Sequence, residues 1–224
     1  MNAVKKVMLR VPLIRFLALY RRESGALGQL GWRDAQLEKL LVSGSQAVPW
    51  FTYGAIDFAD QTVSPAAKVL ELGGGGSTKY WLQRGNHVTT VESSKEWVDT
   101  MSRELSTSFP NWKCMFIPHI TFDSLSAIGD LKFDVIVNDF NGGNRGSVAE
   151  WMLEHLNHDG LIIWDNTDRA NYQDGIGTLE DAGFGQVSFF GLGPVNSYAS
   201  QTSFFSKKYN SPTWELLKRN SIPY

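Results

Sequence analysis

The sequence predicts an α/β fold: a doubly wound, mostly parallel seven-stranded sheet with an antiparallel last strand, preceded by N-terminal helices. From residue 68 onward, short apolar runs alternate with helical stretches, which is the pattern of βαβ units. Runs such as 133–137 and 160–164 are nearly all apolar, as is typical of parallel strands covered on both faces. The last two runs are joined by residues 191–198, which leave no room for a crossover helix and therefore predict an antiparallel pair.

The elements follow in order along the chain. Strands are predicted over 68–72, 87–91, 113–117, 133–138, 160–164, 186–190 and 201–206. Helices are predicted between them over 77–84, 94–105, 146–157 and 172–182. The leading region is expected to hold helices over 4–22 and 33–43, and a third that starts at residue 48 with Pro49 in its first turn. The chain is thus divided into an N-terminal helical extension or cap, 1–64, and one compact α/β domain, 65–224.

Composition places the chain among ordinary globular domains. Its 224 residues are 42% hydrophobic and 20% charged, enough for one large core. The net charge of −2 gives no reason to expect nucleic acid as a partner. The single cysteine, Cys114, excludes an internal disulfide and favours a reducing compartment, so we expect a cytoplasmic protein. Arg10 and Arg15 interrupt the apolar run 7–19, so neither a secretory signal nor a transmembrane helix is predicted.

The first 22 residues differ in charge from the rest of the chain. They contain no acidic residue and six basic ones, Lys5, Lys6, Arg10, Arg15, Arg21 and Arg22. Two interpretations stay open. The segment is either a basic helix that is packed on the domain or solvated, or an interfacial helix that contacts anionic lipid or a partner.

A glycine-rich motif carries the functional prediction. The apolar run 69–72 breaks into four glycines, Gly73 to Gly76, and the next predicted strand is followed by Glu92. Glycine lacks a Cβ, so its backbone can take positive φ and approach a ligand closely. A carboxylate after the second strand can accept hydrogen bonds from ribose hydroxyls. The combination predicts a site for an adenosine-containing cofactor.

The residues around the glycines narrow the choice of cofactor. The dinucleotide-binding fingerprint Gly-x-Gly-x-x-Gly/Ala needs a small residue at its last position, so that the helix can pack closely on the strand. Counted from Gly73, that position is Thr78, after Ser77, which disfavours NAD and FAD. A P-loop is excluded because no Gly-Lys-Ser/Thr follows. Glu71, just before the glycines, is unsuited to a pyrophosphate and suits the ammonium group of a bound amino acid. These features favour S-adenosylmethionine.

Over residues 65–208 the sequence resembles class I S-adenosylmethionine-dependent methyltransferases. Glu71-x-Gly73-x-Gly75 matches the first motif of that family, Glu92 matches its ribose-binding acid, and the last two strands match its antiparallel terminus. The resemblance implies that the glycines lie under the methionine part, which Glu71 helps to hold through solvent or backbone. The cofactor-binding residues predicted in this way are Glu71, Gly73, Gly74, Gly75, Ser77, Glu92 and Asp139.

Polar residues at later strand ends are the candidates for chemistry. Asp139 follows the strand 133–138, and Asp165 and Asn166 follow the strand 160–164. This pattern is similar to the magnesium site of the catechol O-methyltransferase subfamily, which implies Mg²⁺ bound by Asp139, Asp165 and Asn166. Such an ion would lower the pKa of an acceptor hydroxyl. The alternative is that these residues are strand-end caps or direct acceptor contacts without metal.

The subfamily's catalytic lysine is replaced by Gly142, so that role is unfilled. Asp168 is the predicted substitute base if no metal binds, and Arg169 is predicted to clamp an anionic acceptor. Asn166, Arg169 and Arg145 are the predicted substrate residues. Asp168 and Arg169 can equally form a local salt bridge or cap a helix. Arg145 lies in a glycine-rich loop that either closes over the substrate or is a plain surface loop.

The sequence therefore predicts a methyltransferase that uses S-adenosylmethionine to methylate a small-molecule or sugar-like acceptor at oxygen. Its catalytic residues are predicted to be Asp139, Asp165 and Asp168. The alternatives are a non-catalytic cofactor-binding or scaffold protein with the same fold and, disfavoured by Thr78, an NAD-dependent oxidoreductase. The sequence predicts neither the identity of the acceptor molecule nor the oligomeric state.

Overall fold

The structure, a computed structural model, describes residues 12–21, 23–38, 47–141 and 143–210. The helix predicted over 4–22 is seen as α1, and the one predicted over 33–43 as α3; their remaining residues lie partly outside the described ranges. In the described parts of the chain, the α-helices are α1 (Pro12–Leu19), α2 (Ala26–Gln29), α3 (Trp32–Glu38), α4 (Tyr53–Thr62), α5 (Gly76–Gln83), α6 (Lys95–Leu105), α7 (Ala149–His155) and α8 (Gln173–Asp181). None of them is long and apolar enough to cross a membrane.

Seven strands form a single sheet in the order β3-β2-β1-β4-β5-β7-β6. The strands are β1 (Lys68–Leu72), β2 (His87–Glu92), β3 (Trp112–Phe116), β4 (Phe133–Asn138), β5 (Leu156–Asp165), β6 (Gly185–Gly191) and β7 (Ser200–Ser206). Strands β1 to β5 pair in parallel, whereas β7 runs antiparallel to both β5 and β6. The predicted fold class is confirmed.

The central strands are buried on both faces, and successive residues alternate between two cores. In β5, for example, Ile162 belongs to the core beneath α7 and α8, whereas Ile163 belongs to the core beneath α4, α5 and α6. This alternation follows from the two-residue repeat of a strand. It explains why the strand sequences are continuously apolar, and it places helices on both faces of the sheet.

The helix expected from residue 48 begins later, at Tyr53, so Pro49 is not in its first turn. The preceding residues are held extended by distant parts of the chain. The backbone N–H of Thr52 donates to Thr202 Oγ1 at 3.1 Å, its hydroxyl donates to the carbonyl of Phe189, and the N–H of Tyr53 donates to the carbonyl of Leu192. These hydrogen bonds satisfy the backbone without a helix.

Residues on both sides of the expected boundary at residue 64 share one core. Phe51, Ala55 and Ala59 are fully buried and pack in the same cluster as Val69 of β1. The segment 47–63 therefore packs against the sheet, and the division of the chain at residue 64 into an extension and a domain stays a prediction.

Candidate functional site

A pocket of about 500 Å³ lies at the carboxyl ends of the central strands. In open α/β sheets this edge is where ligands bind, next to the point at which the strand order reverses. That point here lies between β1 and β4. The described residues that line the pocket are Trp50, Gly73, Gly74, Gly75, Gly76, Ser77, Glu92, Ser94, Trp97, Asp139, Asn141, Arg145, Asp165, Asn166, Arg169, Asn196 and Tyr198.

The glycine loop after β1 is shaped by contacts with neighbouring strands. Gly73 has φ +91°, and a Cβ there would lie 2.6 Å from the carbonyl oxygen of Asp139. A Cβ on Gly74 would lie 2.5 Å from the side chain of Thr90. The first two glycines are thus required by packing against β4 and β2. Gly75 has ordinary extended backbone and faces the pocket.

Glu92 ties the glycine loop to the end of β2. One carboxylate oxygen accepts the N–H of Gly74 at 3.0 Å, and the other accepts the N–H of Ser94 at 2.7 Å. The indole of Trp97 donates to the carbonyl of Gly74 at 2.7 Å. The Ser93 hydroxyl lies 3.4 Å from the oxygen that accepts from Ser94. A carboxylate oxygen has more than one acceptor site, so the oxygen that accepts from Gly74 retains capacity for a ribose hydroxyl. The loop is pre-organised before any ligand binds.

Glu71 lies behind the loop and is fully buried. Thr90 donates to its Oε2 at 3.2 Å, whereas Oε1 has no hydrogen-bond partner among the described residues. Burial raises the pKa of Glu71 to about 7, and the hydroxyls of Ser77, Thr78 and Thr90 oppose that rise. An orphaned buried carboxylate oxygen is costly unless a ligand or water completes it.

These residues fit S-adenosylmethionine. Glu92 offers acceptors for the ribose, and Glu71 supplies a carboxylate near the loop that can attract the ammonium group through water or backbone. The N-terminus of α5, which begins at Gly76, presents backbone N–H groups that suit the carboxylate of the methionine part.

Asp165, at the end of β5, is 4% exposed and lines the pocket. Thr202, its partner in the β5–β7 register, donates to Asp165 Oδ1 at 2.5 Å, and Thr202 in turn accepts the backbone N–H of Thr52. The Thr202 hydroxyl therefore has a fixed direction toward the carboxylate. The sequence analysis did not identify Thr202, because only the antiparallel pairing brings it to Asp165.

Arg145 is buried, which the sequence did not predict, since its glycine-rich setting indicated a surface or closing loop. Nε donates to the carbonyl of Phe140 at 2.8 Å, and Nη1 donates to the carbonyl of Asp165 at 2.8 Å. Nη2 forms an ion pair with Asp139 Oδ1 at 2.8 Å. Nη1 also lies 3.4 Å from Asn166 Oδ1. The guanidinium thus joins the ends of β4 and β5.

The two strand-end carboxylates influence each other. Burial and the nearby charge of Asp139 raise the pKa of Asp165 to about 7, although Thr202 and Arg145 oppose this. Burial also raises the pKa of Asp139, and the Arg145 guanidinium opposes that rise. Carboxyl groups that interact in this way share protons as a pair, so one of them can be ionised and accept a proton near neutral pH.

The residues predicted to hold Mg²⁺ are already engaged by other side chains, which disfavours a divalent ion between them. Asp139 Oδ1 and Asn166 Oδ1, two of the expected ligands, already accept from Arg145, and Asp165 Oδ1 accepts from Thr202. A divalent cation would also meet the positive charge of a buried guanidinium. Within the described ranges, no group of three or more His, Cys, Asp and Glu side chains is arranged to hold a metal.

Asn166 and Arg169 both line the pocket. Asn166 has φ +62°, a left-handed conformation that asparagine tolerates better than most residues. Arg169 is exposed, and its Nη1 lies 3.3 Å from the Tyr172 hydroxyl. Asp168 does not face the pocket in the described structure. It is exposed and accepts the backbone N–H of Gln201 at 3.1 Å, so it is poorly placed for the predicted role of base.

The outer rim of the pocket contains residues that are not among the predicted site residues. Asn196 and Tyr198 belong to the loop between β6 and β7, and Trp50 precedes α4. Trp50 and Tyr198 are 39% and 58% exposed. Exposed rings beside a pocket offer flat surfaces against which a ligand ring can stack.

No protein-family model matches the sequence, and no curated protein matches it. Solved structures match by fold. The structure of an O-methyltransferase from Bacillus cereus in complex with SAH is 18% identical in sequence to this chain and superimposes with a TM-score of 0.55. The match covers 92% of this chain and 97% of that one. A methyltransferase from Pyrococcus furiosus is 18% identical, with a TM-score of 0.52, covering 69% of this chain and 81% of that one.

Fibrillarin from Aeropyrum pernix, with natively bound S-adenosyl-L-methionine, is also similar. It is 12% identical, with a TM-score of 0.51, and the match covers 64% of this chain and 68% of that one. At these identities the likeness concerns the fold. The chain has the fold of the class I S-adenosylmethionine-dependent methyltransferases. This is shown by the order of its strands, by its antiparallel last strands and by its similarity to these solved structures.

Proposed function

We propose that this protein transfers a methyl group from S-adenosylmethionine to a hydroxyl oxygen of a small-molecule or sugar-like acceptor. The observation that carries the proposal is the position of a buried carboxylate, Asp165, in the same pocket as the glycine loop and Glu92. One set of residues can hold the cofactor, and the other can accept a proton.

When bound, S-adenosylmethionine supplies a methyl group on a positively charged sulfur. Glu92, which is held in place by the N–H groups of Gly74 and Ser94, would accept hydrogen bonds from the cofactor's ribose hydroxyls. The glycine loop and the N-terminus of α5 would hold its methionine part. The indole of Trp97 fixes the loop through the carbonyl of Gly74. Holding two reactants in line can lower the barrier of such a transfer by up to roughly 7–11 kcal/mol.

Asp165 acts as the general base. The Asp165 carboxylate would accept the hydroxyl proton of the acceptor as its oxygen gains the methyl group, and the electron pair of the broken carbon–sulfur bond would remain on sulfur. Thr202 directs the carboxylate through a hydrogen bond to Oδ1. A base with a pKa of about 7 is matched to this task at neutral pH.

Arg145 provides the fixed positive charge of the site. Its ion pair with Asp139 and its bond to the carbonyl of Asp165 hold the ends of β4 and β5 together. It therefore positions the carboxylates without a metal ion. On the open side, the acceptor ring stacks on Trp50 or Tyr198, and Arg169 donates to its polar or anionic substituents.

The test is release of S-adenosylhomocysteine from a panel of phenolic, sugar and carboxylate acceptors, with wild-type protein and Asp165→Asn. We expect turnover with a hydroxyl acceptor, and a loss of roughly 100-fold or more in kcat for Asp165→Asn. Calorimetry should show that this variant binds S-adenosylmethionine as the wild type does. Undiminished kcat in the variant would contradict the role of Asp165.

The same assay tests metal dependence. We expect turnover in EDTA to equal that without chelator, because the Asp139 and Asn166 oxygens are engaged by Arg145. Loss of turnover in EDTA, restored by Mg²⁺, would show that a metal displaces this arrangement. Calorimetric binding of NAD in place of S-adenosylmethionine would favour an oxidoreductase. Cofactor binding without turnover across the panel would favour a scaffold role.

A further inference from the structure

The first described helix, α1, carries large apolar side chains on its exposed surface. Leu13, Phe16 and Leu17 are 66%, 57% and 54% exposed, and Leu19 is 48% exposed. Residues three and four positions apart lie on one face of a helix, so the first three form a single apolar face. A contiguous apolar face directed to solvent marks a surface that contacts something else.

The charge of the surrounding sequence indicates which kind of partner this apolar face suits. All six charged residues among the first 22 are basic, and the first acidic residue of the chain is Glu23. In the remainder of the chain, acidic residues outnumber basic ones. An apolar helix face flanked by lysine and arginine is the pattern of a helix that lies in the headgroup region of an anionic lipid surface.

The same charge argues against a second copy of the chain as the occupant. In a two-fold dimer the identical patch of each chain would face its counterpart. The first 22 residues of each chain, with six basic residues and no acidic one, would then meet a segment of the same charge. A negatively charged surface would instead attract the basic segment.

Contacts connect this segment to the rim of the candidate active site. Tyr20, which follows α1, packs edge-on against Trp32 of α3, with ring centroids 6.4 Å apart. The indole of Trp32 donates to the carbonyl of Asn196 at 2.8 Å, and Gln36 donates to the carbonyl of Pro194 at 3.1 Å. Asn196 lines the pocket. The segment is therefore anchored beside the pocket rim.

We infer that the N-terminal segment 1–22, which contains α1 and six basic residues, binds the surface of an anionic lipid bilayer. The face of Leu13, Phe16 and Leu17 enters the headgroup region, and the basic side chains contact lipid phosphates. The protein remains peripheral in this arrangement, and the loop 192–198 at the pocket rim lies close to the bilayer. This inference is independent of the methylation chemistry.

The experiment is co-sedimentation of the full chain with vesicles of phosphatidylcholine alone and of phosphatidylcholine mixed with phosphatidylglycerol. A double variant, Phe16→Asp with Leu17→Asp, is compared with a control, Phe190→Asp with Leu131→Asp. The control changes one phenylalanine and one leucine of similar exposure, 67% and 52%, outside the N-terminal segment. Far-ultraviolet circular dichroism and S-adenosylmethionine affinity establish that both variants are folded.

We expect the wild type and the control to sediment with the mixed vesicles and not with phosphatidylcholine alone. Affinity should fall about tenfold or more in the Phe16/Leu17 variant, and also when salt is raised to roughly 0.5 M. Equal recovery of wild type and Phe16/Leu17 variant would overturn the inference. So would a wild-type dimer that this variant converts to a monomer, without lipid binding, since the face would then join two copies.

Discussion

At the residue scale, Asp165 shows how tertiary structure gives a common side chain its chemistry. Its sequence context, an aspartate after an apolar strand, is compatible with a cap, a metal ligand or a base. Burial at the end of β5 and the charge of Asp139 raise its pKa to about 7. Both causes depend on β4 lying next to β5, so the pKa is a property of the fold.

The pH dependence of turnover should report this pKa. The base must be ionised, so kcat is expected to rise with pH through about 7 and to level off above it. Asp139→Asn removes the neighbouring negative charge and frees Arg145, and both changes lower the pKa of Asp165. The midpoint of the kcat profile should therefore move to lower pH.

Asp168→Asn is the matched control for that profile. Asp168 is exposed and bonded to the backbone of Gln201, so its removal should leave the midpoint in place. A kcat profile that is flat between about pH 5 and pH 9, or one that shifts only in Asp168→Asn, would show that another group accepts the proton.

Cofactor affinity should depend on the charge of Glu92. Glu92→Gln keeps the size of the side chain but removes the negative charge that two backbone N–H groups and the ribose hydroxyls share. Hydrogen bonds to a charged group contribute about 1.5–3 kcal/mol, so calorimetry should show S-adenosylmethionine binding weakened by roughly 10- to 100-fold. Glu96→Gln, on the exposed side of α6, should bind as the wild type does. Equal affinities in the two variants would remove Glu92 from the site.

At the scale of elements, the position of Arg145 depends on a close approach of two backbones. Arg145 is followed by Gly146, and Gly175 of α8 lies against it. A Cβ built on Gly175 would be 2.4 Å from the Cα of Gly146 and 2.8 Å from the ring of Trp164. Helix α8 can reach this position only with glycine there, and its packing supports the loop that carries the guanidinium.

Two glycines of α8 provide a matched pair of variants. Gly175→Ala should lower the free energy of unfolding by about 1–3 kcal/mol, because backbone atoms cannot move aside as a flexible side chain can. A Cβ on Gly177 would meet no described atom within 4 Å, so Gly177→Ala should stabilise the protein by up to about 1 kcal/mol through helix propensity. Thermal unfolding of both variants checks this, and equal shifts in Tm would contradict the packing argument.

The same elements show what the sequence could and could not predict. Gly73, Glu92 and Asp139 were predicted to be near the site because each follows a strand, and the ends of parallel strands meet at one edge. The contacts that Thr202 and Arg145 make with Asp165 were not predicted, because these residues are 37 and 20 positions away from it in the chain. The delayed start of α4 has the same cause, because Thr52 is held by Thr202 and Phe189. Local sequence patterns therefore predict the helices and strands, whereas hydrogen bonds between distant parts of the chain determine where a helix such as α4 begins.

At the scale of the whole molecule, the reversal of strand order divides the pocket into two halves. The loops after β1 and β2 contribute the glycines and Glu92, which suit a cofactor. The loops after β4 and β5 contribute Asp139, Asp165 and Arg169, which suit an acceptor. Each half depends on its own pair of strands, so residues for binding and residues for proton transfer can be changed separately.

Ligand binding should stabilise this whole assembly. A ligand at about 100 times its Kd stabilises the folded state by roughly 2.7 kcal/mol, and in a domain of this size each kcal/mol raises Tm by about 2–4 °C. S-adenosylmethionine is therefore expected to raise Tm by about 5–10 °C, and NAD at the same concentration is expected to leave it unchanged. Asp165→Asn should show the full rise, because its side chain belongs to the acceptor half, whereas Glu92→Gln should show much less at that concentration. A rise with NAD, or equal rises in the two variants, would contradict the division of the pocket, since the stabilisation would then not come through the loops after β1 and β2.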